Sequence, residues 1–130
     1  MRPLTQKGKG KGGTGRGMEI GPTQRVTAED FAEKVINSDL PVLVDFHRSS
    51  CLPCQQLAPT IDKLGEYYGA RDTDRIHVYK CEDAQLFEKL KVQFVPQLIL
   101  FVAGKDYWLD RSRRTMEELK KEIGEILGMA

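Results

Sequence analysis

Two cysteines separated by two residues, Cys51-Leu52-Pro53-Cys54, are the part of this chain best equipped for chemistry. A thiolate attacks disulfides and also binds soft metals. The spacing therefore admits reversible dithiol/disulfide cycling, a share in a zinc site, or a pair of unreactive thiols. A structural zinc site usually takes four ligands. Besides the pair, the chain offers only Cys81, His47 and His77 of the cysteine and histidine type, with no second C-x-x-C spacing. That balance favours redox chemistry.

The elements around the pair point the same way. Pro41-Val-Leu-Val-Asp-Phe46 is a short, mostly apolar run that reads as a buried strand. Its one acid, Asp45, stands where a central strand should carry none. After the cysteines, Leu57, Ile61, Leu64 and Tyr68 recur at helical spacing, with Pro59 expected to kink that helix. Cys51 thus falls at a helix N-terminus, where unpaired N–H groups and the helix dipole favour a thiolate. Pro53 suits the first turn, where its missing N–H costs nothing. Cys54 lies one turn along, close enough to resolve a mixed disulfide. Cys51 is accordingly the expected nucleophile and Cys54 the resolving thiol.

The rest of the chain supplies a sheet and its covering helices. Thr27-Ala-Glu-Asp30 looks like a capped helix start, with Phe31, Val35 and Ile36 as its apolar stripe to about Ser38. Arg75–Cys81 alternates as a second strand, and a short helix is expected over 84–91. Gln97–Val102 reads as a third strand, and Gly104-Lys105 turns into a fourth near 107–110. Thr115-Met-Glu-Glu118 is a capping box before a last helix carrying Leu119, Ile123, Ile126 and Leu127. Helix, strand, helix, strand, helix, strand, strand, helix predicts an α/β fold: a central mixed β-sheet flanked by helices on both faces.

Composition bounds the possibilities. With 130 residues and 40% hydrophobic content, the chain suits one domain with a sizeable core, over 18–130. Its net charge of +1 makes no case for nucleic acid or membrane. No apolar run reaches the ~20 residues of a membrane span. No secretory signal is visible at the N-terminus, so a reducing, cytoplasmic setting is expected. Residues 1–17 carry five basic residues, six glycines and no acid. They are expected to be a disordered basic tail, with nucleic acid an unlikely partner and Met18 a candidate start.

The chain resembles the thioredoxin family from about Val26 to Leu127. The resemblance rests on Val42-Leu-Val-Asp-Phe46, the Cys51/Cys54 pair, Pro59, and Phe94-Val-Pro-Gln-Leu-Ile-Leu-Phe101 with the Gly104 hairpin. It implies that Asp45 is buried beneath the cysteines, with a raised pKa, and moves the resolving thiol's proton. Lys80 matches the family's lysine near that acid, with a plain surface lysine as the alternative. The resemblance makes Pro96 the cis-proline facing the cysteines, with the Val95 backbone pairing with substrate in a strand-like manner. Leu52, Pro53, Phe94 and Val95 would form an apolar docking rim, although Phe94 could equally be core. The implied activity is reduction or exchange of protein disulfides by a monomer without a bound cofactor or metal, using electrons from an external reductase. A binding module whose thiols matter little, or a zinc-bound dithiol, are the alternatives.

Departures from the family surround the pair. Leu52 replaces a glycine, Ser50 and His47 replace tryptophans, and Ser112 replaces a glycine within Asp110-Arg-Ser-Arg-Arg114. The connection from Lys80 to Pro96 looks shorter than usual. A more basic partner groove is expected, with His47 as a candidate modulator of the thiols through its charge. Cys81 reads as a small buried hydrophobe, with a regulatory thiol as the alternative.

Overall fold

A computed structural model describes residues 23–130. The expectations for residues 1–17 and for Met18 fall outside that span. In chain order the elements are β1 (Gln24–Arg25), a π-helical turn (Ala32–Ile36), β2 (Val42–Phe46), α1 (Leu52–Gly69) and β3 (His77–Cys81). Then follow α2 (Ala84–Leu90), β4 (Gln97–Val102), β5 (Lys105–Trp108) and α3 (Met116–Met129).

The five strands form one mixed sheet in the order β1-β3-β2-β4-β5. β2 runs parallel to β3 and antiparallel to β4, so it is central and every one of its residues is buried. Side chains alternate across a strand. Val42, Val44 and Phe46 join Phe31, Val35, Phe87 and Ile99 on one face of the sheet. Leu43 joins Leu57, Ile61, Leu64, Leu100, Leu119 and Ile123 on the other. The first face is covered by the π-helical turn and α2, the second by α1 and α3. This is the expected α/β arrangement, a central mixed sheet with helices on both faces.

Two local expectations are corrected and one strand is added. The helix expected from Thr27 to Ser38 is a single wide turn, closed by the Asn37 N–H on the Ala32 carbonyl at 2.9 Å. Asp30 does accept from the Thr27 N–H at 2.8 Å. The Ser38 hydroxyl then engages both backbone groups of Leu40, and Pro41 bars further helix. The two-residue strand β1 had no sequence signal, because its pairing with β3 rather than its polar residues defines it. The last strand starts at Lys105, earlier than expected, because Ala103 and Gly104 form a two-residue turn with φ of 52° and 83°. Pro59 stands inside α1, which spans Leu52–Gly69 as one helix.

Candidate active site

The sheet places the site at the C-terminal end of β2. β2 ends at Phe46, and residues 47–50 lead to Cys51, the N-cap of α1. Its Sγ accepts the Cys54 N–H at 3.1 Å, so the sulfur takes up one of the helix's free N-terminal donors. Cys51 and Cys54 are joined as a disulfide, with Cα atoms 5.2 Å apart. Cys54 is buried, while Cys51 is half-buried and reaches the surface.

The approach to Cys51 is held on two sides. Glu82, just past β3, accepts from the Ser49 N–H and hydroxyl at 2.8 Å each. Gln55 on α1 donates to the Ser49 carbonyl at 2.7 Å. Burial works to raise the Glu82 carboxyl. The Ser49 hydrogen bonds, with His47 and Arg25 nearby, outweigh it and hold the group below its ordinary value.

Asp45 points to the face of the sheet that α1 covers. It is 4% exposed, beside Lys80 in the β2–β3 register. Burial raises its carboxyl from 3.8 to about 7; Lys80 pulls it down and Asp62 on α1 pushes it up. Its Oδ1 has no hydrogen-bond partner. A cavity of about 280 Å3 touches Asp45, Cys54, His47, Lys80, Gln55 and Ala58, among others. Its mainly apolar wall carries these polar groups and leaves room for several water molecules, so acid, resolving cysteine and both expected modulators share one space. Lys80 is buried, which removes the reading of it as a plain surface lysine.

Across from the cysteines lies the loop before β4. The Val95–Pro96 peptide is cis, and Pro96 is buried. The Val95 carbonyl oxygen is 3.9 Å from Cys51 Sγ. Leu52 and Phe94 are 61% and 63% exposed on either side of this gap, with Pro53 exposed and Val95 half-buried. Phe94 is therefore on the surface and not in the core.

Cys81 lies elsewhere. It pairs in register with Phe46 and faces the opposite core from Cys54. Burial pushes its thiol up to about 11. His77 stacks on Tyr79, with ring centroids 6.0 Å apart, at the other end of β3. Of the residues that could have completed a four-ligand zinc site, Cys81 and His77 thus lie apart from the pair, while His47 shares the cavity behind Cys54.

Two contributors escaped the sequence reading. Glu82 gave only the signal of an acid just after a strand. Arg111 bonds the carbonyls of Pro96 and Val95, at 3.3 Å each. The basic run 110–114 is visible in the sequence, but not that Arg111 is the one reaching the cis-proline loop.

The family model described as Thioredoxin matches residues 22–125. Thioredoxin C-2 of Corynebacterium nephridii is 35% identical over 80 residues, covering 61% of this chain and 72% of that protein. Thioredoxin-1 of Saccharomyces cerevisiae is 37% identical over 84 residues, covering 65% and 79% respectively. Thioredoxin 1 of Chlorobaculum tepidum is 28% identical over 102 residues, covering 78% and 99%.

Proposed function

The chain belongs to the thioredoxin family and is a thiol–disulfide oxidoreductase, and on that footing we propose that it reduces disulfides of protein clients through named roles at this site. The Cys51 thiolate attacks one sulfur of a client disulfide. A Cys51–client bond forms as the client's own S–S bond breaks, and the second client sulfur leaves as a thiolate. Cys54 then attacks the Cys51 sulfur, closes the intramolecular disulfide and releases the first client sulfur. The client gains two electrons and the protein loses two. An external reductase returns them, so no bound cofactor is needed.

Asp45 takes the proton that Cys54 must lose. A carboxyl held near 7 is matched to general-base work at neutral pH. Lys80 and His47, around the same cavity, tune that transfer. The Val95 backbone beside cis-Pro96 pairs with the client chain, and Leu52, Pro53 and Phe94 give it apolar contact. The protein works as a monomer in a reducing compartment such as the cytoplasm.

One arrangement carries this reading. The sulfur of the half-buried Cys51 sits on the helix N-terminus and faces the Val95 carbonyl. Asp45 lies in the cavity behind Cys54. The test is insulin-disulfide reduction by dithiothreitol with wild type, Cys51→Ser and Cys54→Ser. Wild type should accelerate it, Cys51→Ser should not, and Cys54→Ser, reduced and then freed of dithiothreitol, should trap a mixed disulfide with insulin. A reduction potential near ~−270 mV should accompany reductase function. Equal rates for wild type and Cys51→Ser would instead make the domain a binding module.

A further inference from the structure

The docking rim carries a fixed positive charge. Arg111 follows Leu109, whose N–H bonds the Leu98 carbonyl and so anchors the loop to the sheet. From there the Arg111 guanidinium reaches back over the cis-proline loop. Its Nε donates to the Pro96 carbonyl and its Nη2 to the Val95 carbonyl. Its carbon lies 5.4 Å from the centre of the exposed Phe94 ring, a cation–π distance. The Val95 carbonyl it holds is the one facing Cys51 Sγ at 3.9 Å. Arg114 donates to the Arg111 carbonyl at 2.9 Å and steadies the loop from below.

These contacts use carbonyls and an aromatic face, and none of them neutralises the charge. The nearby carboxylates are engaged elsewhere: Asp110 bonds Ser112 and lies 3.7 Å from Arg113, and Glu122 also pairs with Arg113. Among the described residues no carboxylate pairs with Arg111. A guanidinium has five N–H donors in one plane. Two are occupied, and the Nη1–Nη2 edge keeps one on each nitrogen, the fork that fits a carboxylate. The side chain is exposed, so that edge is accessible.

We infer that Arg111 selects client segments carrying an acidic residue beside the attacked cysteine. The inference rests on the disulfide-reductase reading above and adds a substrate class to it. A client sulfur must enter the gap between Leu52 and Phe94 to reach Cys51. Its flanking side chains then pass over Val95 and Phe94, where the guanidinium waits already oriented. A carboxylate there gains a charge-assisted bond, whereas an ammonium meets a like charge.

The test uses matched cysteine peptides whose flanking residues are Glu, Gln or Lys. Each is linked by a disulfide to 2-thiopyridine, and excess reduced protein is mixed with it in a single turnover. Cys51 attacks the peptide sulfur, the bond to the pyridine sulfur breaks, and released 2-thiopyridone is read by absorbance. The quantity of interest is the ratio of second-order rate constants for Glu and Lys peptides, which cancels any general effect on Cys51 reactivity. Wild type should favour Glu by roughly threefold to tenfold, as expected for a partly exposed ion pair with a charged hydrogen bond. Arg111→Ala should bring the ratio close to one, Arg111→Lys should keep part of it, and Arg111→Glu should invert it. Raised salt should shrink the wild-type ratio. A wild-type ratio of one, or an unchanged ratio in Arg111→Ala, overturns the inference while leaving the reductase reading intact. Release no faster than with Cys51→Ser for every peptide overturns both.

Discussion

Replacing Asp45 by asparagine should make the oxidised protein more stable, by an amount that depends on pH. The folded state holds the Asp45 proton up to about 7, against 3.8 as the ordinary value. Between those values the folded chain binds a proton that the unfolded chain has released, so stability falls as pH rises. Below the lower value both states are protonated and the effect is absent; above about 7 it is complete. At about 1.4 kcal/mol per tenfold change in proton affinity, the whole interval corresponds to about 4 kcal/mol. Asparagine has nearly the same shape and never ionises. It leaves Lys80 facing a neutral group at every pH, as protonated Asp45 does at low pH. The low-pH difference between the two proteins therefore records the change of side chain, and the growth of that difference with pH records the buried charge. Urea unfolding from pH 3.5 to 9 measures it. With a slope of about 1–3 kcal/mol per molar urea, the gap between the variant's midpoint and that of wild type should widen by roughly 1–4 M from the low to the high end of the range. Parallel curves for the two proteins would refute the assignment of Asp45 as a carboxyl held protonated by burial.

Three further outcomes follow from other parts of the structure. Glu82→Gln should weaken the grip on Ser49 and lower stability by about 1 kcal/mol, as measured by urea unfolding at neutral pH. Ala103 sits at φ 52°, a region that Asn or Gly enters at less cost than Ala. Ala103→Asn should therefore raise stability by about 0.5–1 kcal/mol in thermal or urea unfolding. Cys81, with its thiol pushed up to about 11 and buried, should resist alkylation at pH 8 in the folded, reduced protein while Cys51 reacts, as mass spectrometry of the labelled peptides would show.

The parts of the fold that were legible in sequence are those where local chemistry and tertiary structure agree. Val42–Phe46 and Gln97–Val102 were legible because each is a dense apolar run with nowhere to go but the centre of a sheet. The Thr115 capping box was legible because its two hydrogen bonds join residues three apart. The first helix was misread because Phe31, Val35 and Ile36 fit a helical stripe, while the Ser38–Leu40 turn decides where it stops. β1 could not be seen at all, since only β3 makes Gln24 and Arg25 a strand. In the site, the cysteines, Asp45 and Pro96 were readable from spacing and resemblance. Glu82 and Arg111 were not, because their partners lie 33 and 15 or more residues away, and charged residues on loops look alike until a fold assigns them neighbours.

The alternation of side chains along β2 has a consequence for how this sequence tolerates change. Asp45 faces the cysteine side because its position is odd in a strand whose even positions, Val42, Val44 and Phe46, fill the other core. The acid's function is thus encoded as parity. A single residue gained or lost before Asp45 within the strand would swap the two sets, sending the carboxyl among Phe31, Phe87 and Ile99 and leaving an apolar side chain behind the reactive pair. Such a change would damage packing and chemistry together. Insertions in this stretch should survive only in pairs, and the central strand becomes a reading frame that stability and catalysis have to share.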